Sequence, residues 1–227
     1  MGANGEVLDS AEIRAASQLL GYTASHNVPM GRYTTYRVAG PAALHINCND
    51  VSSLVRVAEV VHVSQVPTLV VGKGSNLLIS DRGFPGLVIT LGGTFNKTFI
   101  NPVDGLVTAG GGVSLSRLSN QCSAVGLQGV QWSIGIPGTL GGAICTNAGC
   151  RASNIEKIFG KAIVLDLFTG DSRTWTKEDV GFRFRGSELA AQHVVCVNRP
   201  GNSGGSPAWE RGWNHGKEAN WVQEVSV

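Results

Sequence analysis

The sequence predicts an α+β fold of two lobes, and three observations predict it. Short β-branched runs alternate with amphipathic helical segments instead of repeating one pattern. Two glycine-rich loops, at 72–77 and 134–149, interrupt that pattern far apart in the chain. The 227 residues are 42% hydrophobic and 15% charged, with 31 glycines, which suits a real core wrapped in close-packed loops. The length allows one or two ordinary domains. The patterning divides the chain into a helical extension (1–24), a first lobe (25–90), a second lobe (91–200) and a C-terminal tail (201–227).

Residues 11–20 read as a helix stopped by Gly21. A strand is expected at 44–48. Asp50 then caps a helix over 51–63, with Leu54, Val55, Ala58 and Val61 on one face. Residues 66–71 form the next strand, completing a β-α-β unit that ends in the first glycine loop. A strand-like run follows at 77–80, then a turn at 81–86 and a strand at 87–91. The second lobe opens with strands at 98–100 and 106–109. Gly110, Gly111 and Gly112 precede a helix over 113–125 with Leu115, Leu118 and Cys122 at helical spacing, and Gly126 stops it. That triglycine reads equally as a ligand loop or a plain one. Residues 161–168 and 172–176 make a hairpin about Thr169-Gly170-Asp171, with Asp166 facing solvent, and 194–197 a further strand.

The loops carry the functional signal. Ile134 to Gly149 holds five glycines, Pro137 and three small polar residues, Thr139, Thr146 and Asn147. It cannot build a core, but it brings bare backbone close to a ligand. Pro137 suits the start of a short helix and Thr139 its cap, so unshielded amides there favour an anion such as phosphate. In the other loop, Gly72 and Gly74 bracket a turn, and Ser75 and Asn76 add polar groups to a potential anion nest. P-loop spacing is absent. Leu77 stands where a Rossmann fingerprint needs its third glycine, with no helix expected after it. Two phosphate-grade loops without either common signature point to a less common dinucleotide fold.

A net charge of +2 makes no case for nucleic acid. No apolar run reaches eighteen residues and no basic-then-apolar leader opens the chain, so a cytoplasmic protein without membrane association is expected. Cys48, Cys122, Cys145, Cys150 and Cys196 form no Cys-x-x-Cys pair, which argues against zinc and a disulfide framework; no metal is expected. Cys145 and Cys150 flank the 146–149 turn and read as small buried thiols, a covalent link to a bound ligand being the alternative. His45, His62 and His193 lack paired spacing and read as structural.

Four segments together carry a resemblance: Tyr33-Thr34-Thr35-Tyr36-Arg37-Val38-Ala39-Gly40-Pro41-Ala42, Gly72-Lys73-Gly74-Ser75-Asn76-Leu77-Leu78, Gly135-Ile136-Pro137-Gly138-Thr139-Leu140-Gly141-Gly142-Ala143 and Asn147-Ala148-Gly149. Over about residues 25–200 their order resembles the UDP-N-acetylenolpyruvoylglucosamine reductases, the MurB family, whose FAD-binding fold is of the vanillyl-alcohol oxidase type. The resemblance implies a two-lobed FAD site. Its cofactor-binding residues would be Gly72, Lys73, Gly74, Ser75, Asn76, Leu77, Gly135, Ile136, Pro137, Gly138, Thr139, Gly141, Gly142, Asn147 and Gly149. It also implies NADPH as hydride donor, a UDP-sugar enolpyruvyl ether as substrate and a monomeric enzyme.

Gly181-Phe182-Arg183-Phe184-Arg185-Gly186-Ser187 stands where the family carries Tyr-Arg-x-Ser. Arg185 and Ser187 match, while Phe184 replaces the tyrosine. Reducing an enolpyruvyl ether builds negative charge on its carboxylate, and a planar guanidinium can hold that carboxylate bidentately as the charge grows. The resemblance therefore implies Arg185 as the catalytic residue. If this stretch is a strand, Arg183 shares its face; the competing reading is two arginines on an exposed strand.

After about residue 200 the resemblance thins. The family continues with a substrate domain carrying a serine acid and a late glutamate; here some 27 residues remain. Ser206 and Glu224 sit in sequence that only faintly resembles those motifs and are not assigned catalytic roles. Two readings stay open: a peptidoglycan-precursor reductase impaired by its short C-terminus, and a non-catalytic FAD-binding fragment of the same family. An oxygen-using oxidase of this fold has little support.

Overall fold

The computed structural model describes residues 9–189 and, as backbone strands, 193–196 and 225–226. Helix α1 (Ala11–Leu20) is capped by Ser10, whose side chain accepts from Ile13 N, and ends at Gly21 with φ 53°. Strands β1 (Ser25–Pro29) and β2 (Pro41–Cys48) follow, then α2 (Val51–Ser64), β3 (Thr68–Val71) and β4 (Phe84–Leu91). These strands form one sheet in the order β1-β2-β4-β3. β2 and β3 run parallel to β4 on its two sides, and β1 is antiparallel to β2.

The helix α2 starts where Asp50 predicts, through a capping box: Asp50 Oδ1 accepts from Ser53 N at 2.8 Å and Ser53 Oγ accepts from Asp50 N at 3.4 Å. Its buried face is Leu54, Val57, Ala58 and Val61, so Val57 takes the place expected for Val55. With Ile13, Ala16 and Leu20 of α1, these residues fill the first core beneath Leu44, Ile46, Leu87 and Ile89 of the sheet. Each fully buried Leu or Ile contributes about 1.5–3 kcal/mol over its exposed state.

The run 77–80 is not a strand. It lies beside 34–40, with Thr35 N donating to Gly74 O at 3.3 Å and Gly40 N to Ser80 O at 3.0 Å. Its apolar composition suits a strand, but no ladder partner stands beside it among the described residues.

The rest of the chain comprises β5 (Thr98–Asn101), β6 (Leu106–Ala109), α3 (Leu115–Ala124), α4 (Leu140–Cys145), β7 (Gly149–Cys150), β8 (Ser153–Asn154), β9 (Lys161–Asp166), β10 (Ser172–Thr176), α5 (Lys177–Val180), β11 (His193–Cys196) and β12 (Val225–Ser226). The sheets are β10-β9-β11, β12-β6-β5 and β7-β8. Within the expected tail, β12 pairs antiparallel with Leu106 and Val107 of β6; Ser206 and Glu224 lie outside the described residues.

β9 joins the two halves by simple alternation. Ile163 and Leu165 enter the first core, while Ala162 and Val164 enter a second with Leu115, Leu118, Ile144 and Trp175. Asp166 closes the hairpin after it, its carboxylate accepting from Phe168 N at 2.8 Å and Thr169 N at 3.1 Å. The mixed α+β architecture is the expected one.

Candidate functional site

The two glycine loops meet at a cleft of about 480 Å³, within the roughly 300–1,000 Å³ range of ligand sites. A more open groove of about 800 Å³ runs between α1 and β1, but no glycine loop reaches it.

Loop 72–77 leaves the buried end of β3 at Val71. Gly74 is buried with φ 58°, and a Cβ there would fall on the backbone carbonyl of Tyr33, so only glycine fits. Lys73, Gly74, Ser75 and Asn76 all line the cleft, and among the described residues their four backbone N–H groups donate to no protein acceptor. Such consecutive unpaired amides form an anion nest, and the amide of buried Gly74 lacks the partner that buried donors nearly always have.

Across the cleft, Thr139 caps the short α4, its hydroxyl oxygen accepting from Gly142 N at 3.4 Å. Leu140, Ala143 and Ile144 point into the second core. Gly141, Gly142, Cys145 and Thr146 are left along the cleft. Backbone bonds knit this segment to the triglycine loop: Leu140 N to Val113 O at 2.8 Å and Gly141 N to Gly111 O at 2.9 Å. The two walls touch at one point, where a Cβ on Gly72 would fall on the Thr139 side chain.

Of the residues expected to bind a cofactor, Gly72, Lys73, Gly74, Ser75, Asn76, Leu77, Pro137, Gly138, Thr139, Gly141 and Gly142 line this cleft. Gly135, Ile136, Asn147 and Gly149 do not. Gly135 is exposed, and Ile136 packs against the second core. Gly149 belongs to β7. Asn147 is buried with both ends of its side-chain amide bonded to protein.

The strand expected at Arg183 and Arg185 is instead a tight turn. Arg183 N donates to Gly186 O at 2.9 Å and Gly186 N to Arg183 O at 3.2 Å, and Arg185 takes φ 59°. Phe182 packs edge-on against Phe159 at 5.1 Å while Phe184 is 94% exposed, so the apolar alternation that mimicked a strand is one anchor and one free ring. Arg183 pairs with Glu188. Arg185 is exposed, outside the cleft lining, and makes no ion pair among the described residues.

Gly111, Gly112, Leu91, Asn96, Leu115, Cys145, Thr146, Ala148 and Leu189 also line the cleft. The triglycine was the one signal for part of this set. Leu91 and Asn96 come from a strand end and the turn after it, positions with no local mark. Burial pushes the Cys145 thiol up to about 11, leaving it protonated at neutral pH and inert as a nucleophile. His45 is structural: it bonds Thr90 Oγ1 at 3.1 Å and stacks on Tyr33. No group of three metal-ligating side chains occurs among the described residues, and none of their helices is long and apolar enough to cross a membrane.

Residues 42–176 match a family model described as an FAD-binding domain. The chain belongs to the FAD-binding domain family. Its cleft fits that cofactor: free amides and Lys73, the single charged side chain among the described lining residues, suit a pyrophosphate. Among the lining residues Val70, Leu91 and Ala148 are half-buried and offer apolar surface to a flat ring.

The resemblance to UDP-N-acetylenolpyruvoylglucosamine reductases is borne out. This FAD-binding domain is 38% identical to the enzyme of that name from Anoxybacillus flavithermus over 177 residues, 77% of this chain and 57% of the relative. It is 33% identical to that from Chlamydia muridarum over 177 residues, covering 78% of the chain and 58% of the relative. The chain thus spans a little over half the length of such relatives. The crystal structure of the MurB reductase from Thermus caldophilus superposes with a TM-score of 0.64 at 30% identity, over 77% of this chain and 59% of the other. A BBE-like protein from Physcomitrella patens (TM-score 0.56, 14% identity, 80% of this chain and 43% of the other) shares the fold.

Proposed function

We propose that this chain is the flavin-binding portion of an FAD-dependent reductase. In this reading NADPH serves as donor and UDP-N-acetylglucosamine enolpyruvate is reduced to UDP-N-acetylmuramate in peptidoglycan precursor synthesis. The observation that carries the reading is the meeting of the 72–77 and 137–142 loops on one amide-lined cleft, in a chain 38% identical to reductases of that name. The first lobe (25–90) brings loop 72–77 to the cleft and the second lobe (91–200) brings the 137–142 loop with Leu91 and Asn96; the protein acts as a cytoplasmic monomer.

Bound FAD would supply a two-electron hydride carrier between donor and substrate. The chain's own residues hold and orient it. The amides of 73–76 and the Lys73 ammonium neutralise the pyrophosphate. Gly141 and Gly142 leave the opposite wall free of side-chain bulk. Arg185, which stands on the exposed turn beside the Arg183–Glu188 pair, is the guanidinium assigned to meet a substrate carboxylate and stabilise the charge that builds on it.

The test is anaerobic flavin absorbance of the purified chain, first with NADPH and then with the enolpyruvyl-UDP-sugar. Bleaching followed by substrate-dependent recovery supports the reductase. A second reading, a flavin-binding unit without its own turnover, is favoured by the chain spanning 57% of its relative; bound flavin with no recovery supports it. A chain that binds no flavin refutes both.

A further inference from the structure

Asn147 sits just behind the cleft wall, between two residues that line it, Thr146 and Ala148. It is buried and adopts φ 45°. Its Nδ2 donates to Arg183 O at 3.1 Å and its Oδ1 accepts from Glu156 N at 3.2 Å. A second tie lies four residues along the same loop, at Ser187. Ser187, also buried, donates its hydroxyl to Cys145 O at 2.9 Å and accepts from Leu189 N at 3.3 Å. Cys145 and Leu189 both line the cleft. The turn carrying Arg185 is therefore fastened to the wall at both ends, at Arg183 by Asn147 and just past Gly186 by Ser187.

We propose that Asn147 and Ser187 are positioning residues that couple occupancy of the flavin cleft to the order of the Arg185 turn. This rests on the flavin reading above. A bound cofactor pressing on Cys145, Thr146, Ala148 and Leu189 restrains the wall, and the two side-chain ties carry that restraint to the turn. Without the ties the exposed turn keeps its own reciprocal backbone bonds, the Arg183–Glu188 pair, the Glu188 N bond to Val180 O at 2.8 Å and the Phe182 ring on Phe159, none of which runs to a cleft-lining residue, so it opens independently of the cleft. By linkage the effect is mutual: a held turn favours bound cofactor by the same factor.

Amide hydrogen exchange across 183–189, with and without FAD, reads this directly. In the parent, saturating FAD should slow exchange of the Arg183, Gly186 and Glu188 amides by about 5-fold or more, the low end of ordinary coupling. Ser187→Ala removes one tie. Asn147→Asp removes the donor to Arg183 O, yet keeps the acceptor for Glu156 N and a residue type that tolerates positive φ. Each variant should still bind FAD, seen by quenching of the flavin's fluorescence, but FAD should no longer slow exchange in the turn. A merely structural role would raise exchange equally with and without FAD and leave the difference intact, which overturns the proposal. So does a parent that binds FAD without any slowing in the turn. A parent that fails to bind FAD refutes the flavin reading itself and the coupling with it.

Discussion

The contact between the two glycine loops makes Gly72→Ala the sharpest perturbation of the site. Gly72 is exposed and its φ lies outside the left-handed region, so a methyl there costs nothing in backbone strain. What it meets is Thr139, with Cγ2 at 2.9 Å and Cβ at 3.2 Å, and the hydroxyl nearer still. Ordinary carbon contacts lie at about 3.5–4.0 Å, so the loops must part by roughly 1 Å or Thr139 must turn away from the cap it makes to Gly142. Overpacking of this kind costs about 1–3 kcal/mol. The free protein relieves it by letting the surface loops separate. A cofactor that draws both loops together reimposes it. The cost then appears in FAD affinity, as a loss of about 5- to 150-fold at 1.4 kcal/mol per tenfold, with little change in the melting temperature of the free protein. Fluorescence titration of FAD against parent and variant measures it. Gly135→Ala is the control, because a Cβ there has nothing within 4 Å and the residue is outside the cleft lining; its affinity should match the parent. Binding by Gly72→Ala within twofold of the parent, or an equal loss in Gly135→Ala, would refute a cofactor held between these walls.

Lys73→Ala should weaken FAD binding by about 5- to 10-fold and flatten its salt dependence, as expected for one partly solvated charge; titrations at low and high salt decide it. Arg185→Ala should keep FAD and its reduction by NADPH, while substrate-driven reoxidation in stopped flow falls by about 100-fold or more; an unchanged rate removes Arg185 as the carboxylate clamp. Burial, and secondarily the charge of Arg32, hold His45 below its ordinary value of 6.5, so the unfolded chain takes up the proton first as pH falls. Stability is therefore full above about pH 6.5 and declines as pH drops from there toward the folded value. Urea midpoints at pH 7.5 and 5.5 should show that decline, and His45→Gln should lessen it.

Much of the fold is legible because its signals are local. The capped start of α2 at Asp50 needs only a side chain three residues from an amide. Gly21 and Gly126 stop their helices through conformations a short stretch of sequence specifies. Thr139 capping α4 is of the same kind. The signals fail where composition imitates a state that pairing must supply. Residues 77–80 have a strand's composition without a neighbouring strand, and Phe182 to Arg185 alternate like a strand yet close a turn.

The sequence alone also established which residues could offer bare backbone to an anion, since glycine content and polar neighbours are properties of the loops themselves. That these loops face each other was decided by tertiary structure. β4 inserts between β2 and β3, setting the end of β3 and loop 72–77 beside Leu91 and Asn96, and the 111–113 segment binds the 138–141 segment across from them. Asn147 shows the same division: its motif marked it as a cofactor ligand, but folding spends its amide on Arg183 and Glu156. The partner at Arg183, more than thirty residues away, leaves no trace in local pattern, because only packing around the second core brings its carbonyl oxygen to the Asn147 side chain at 3.1 Å.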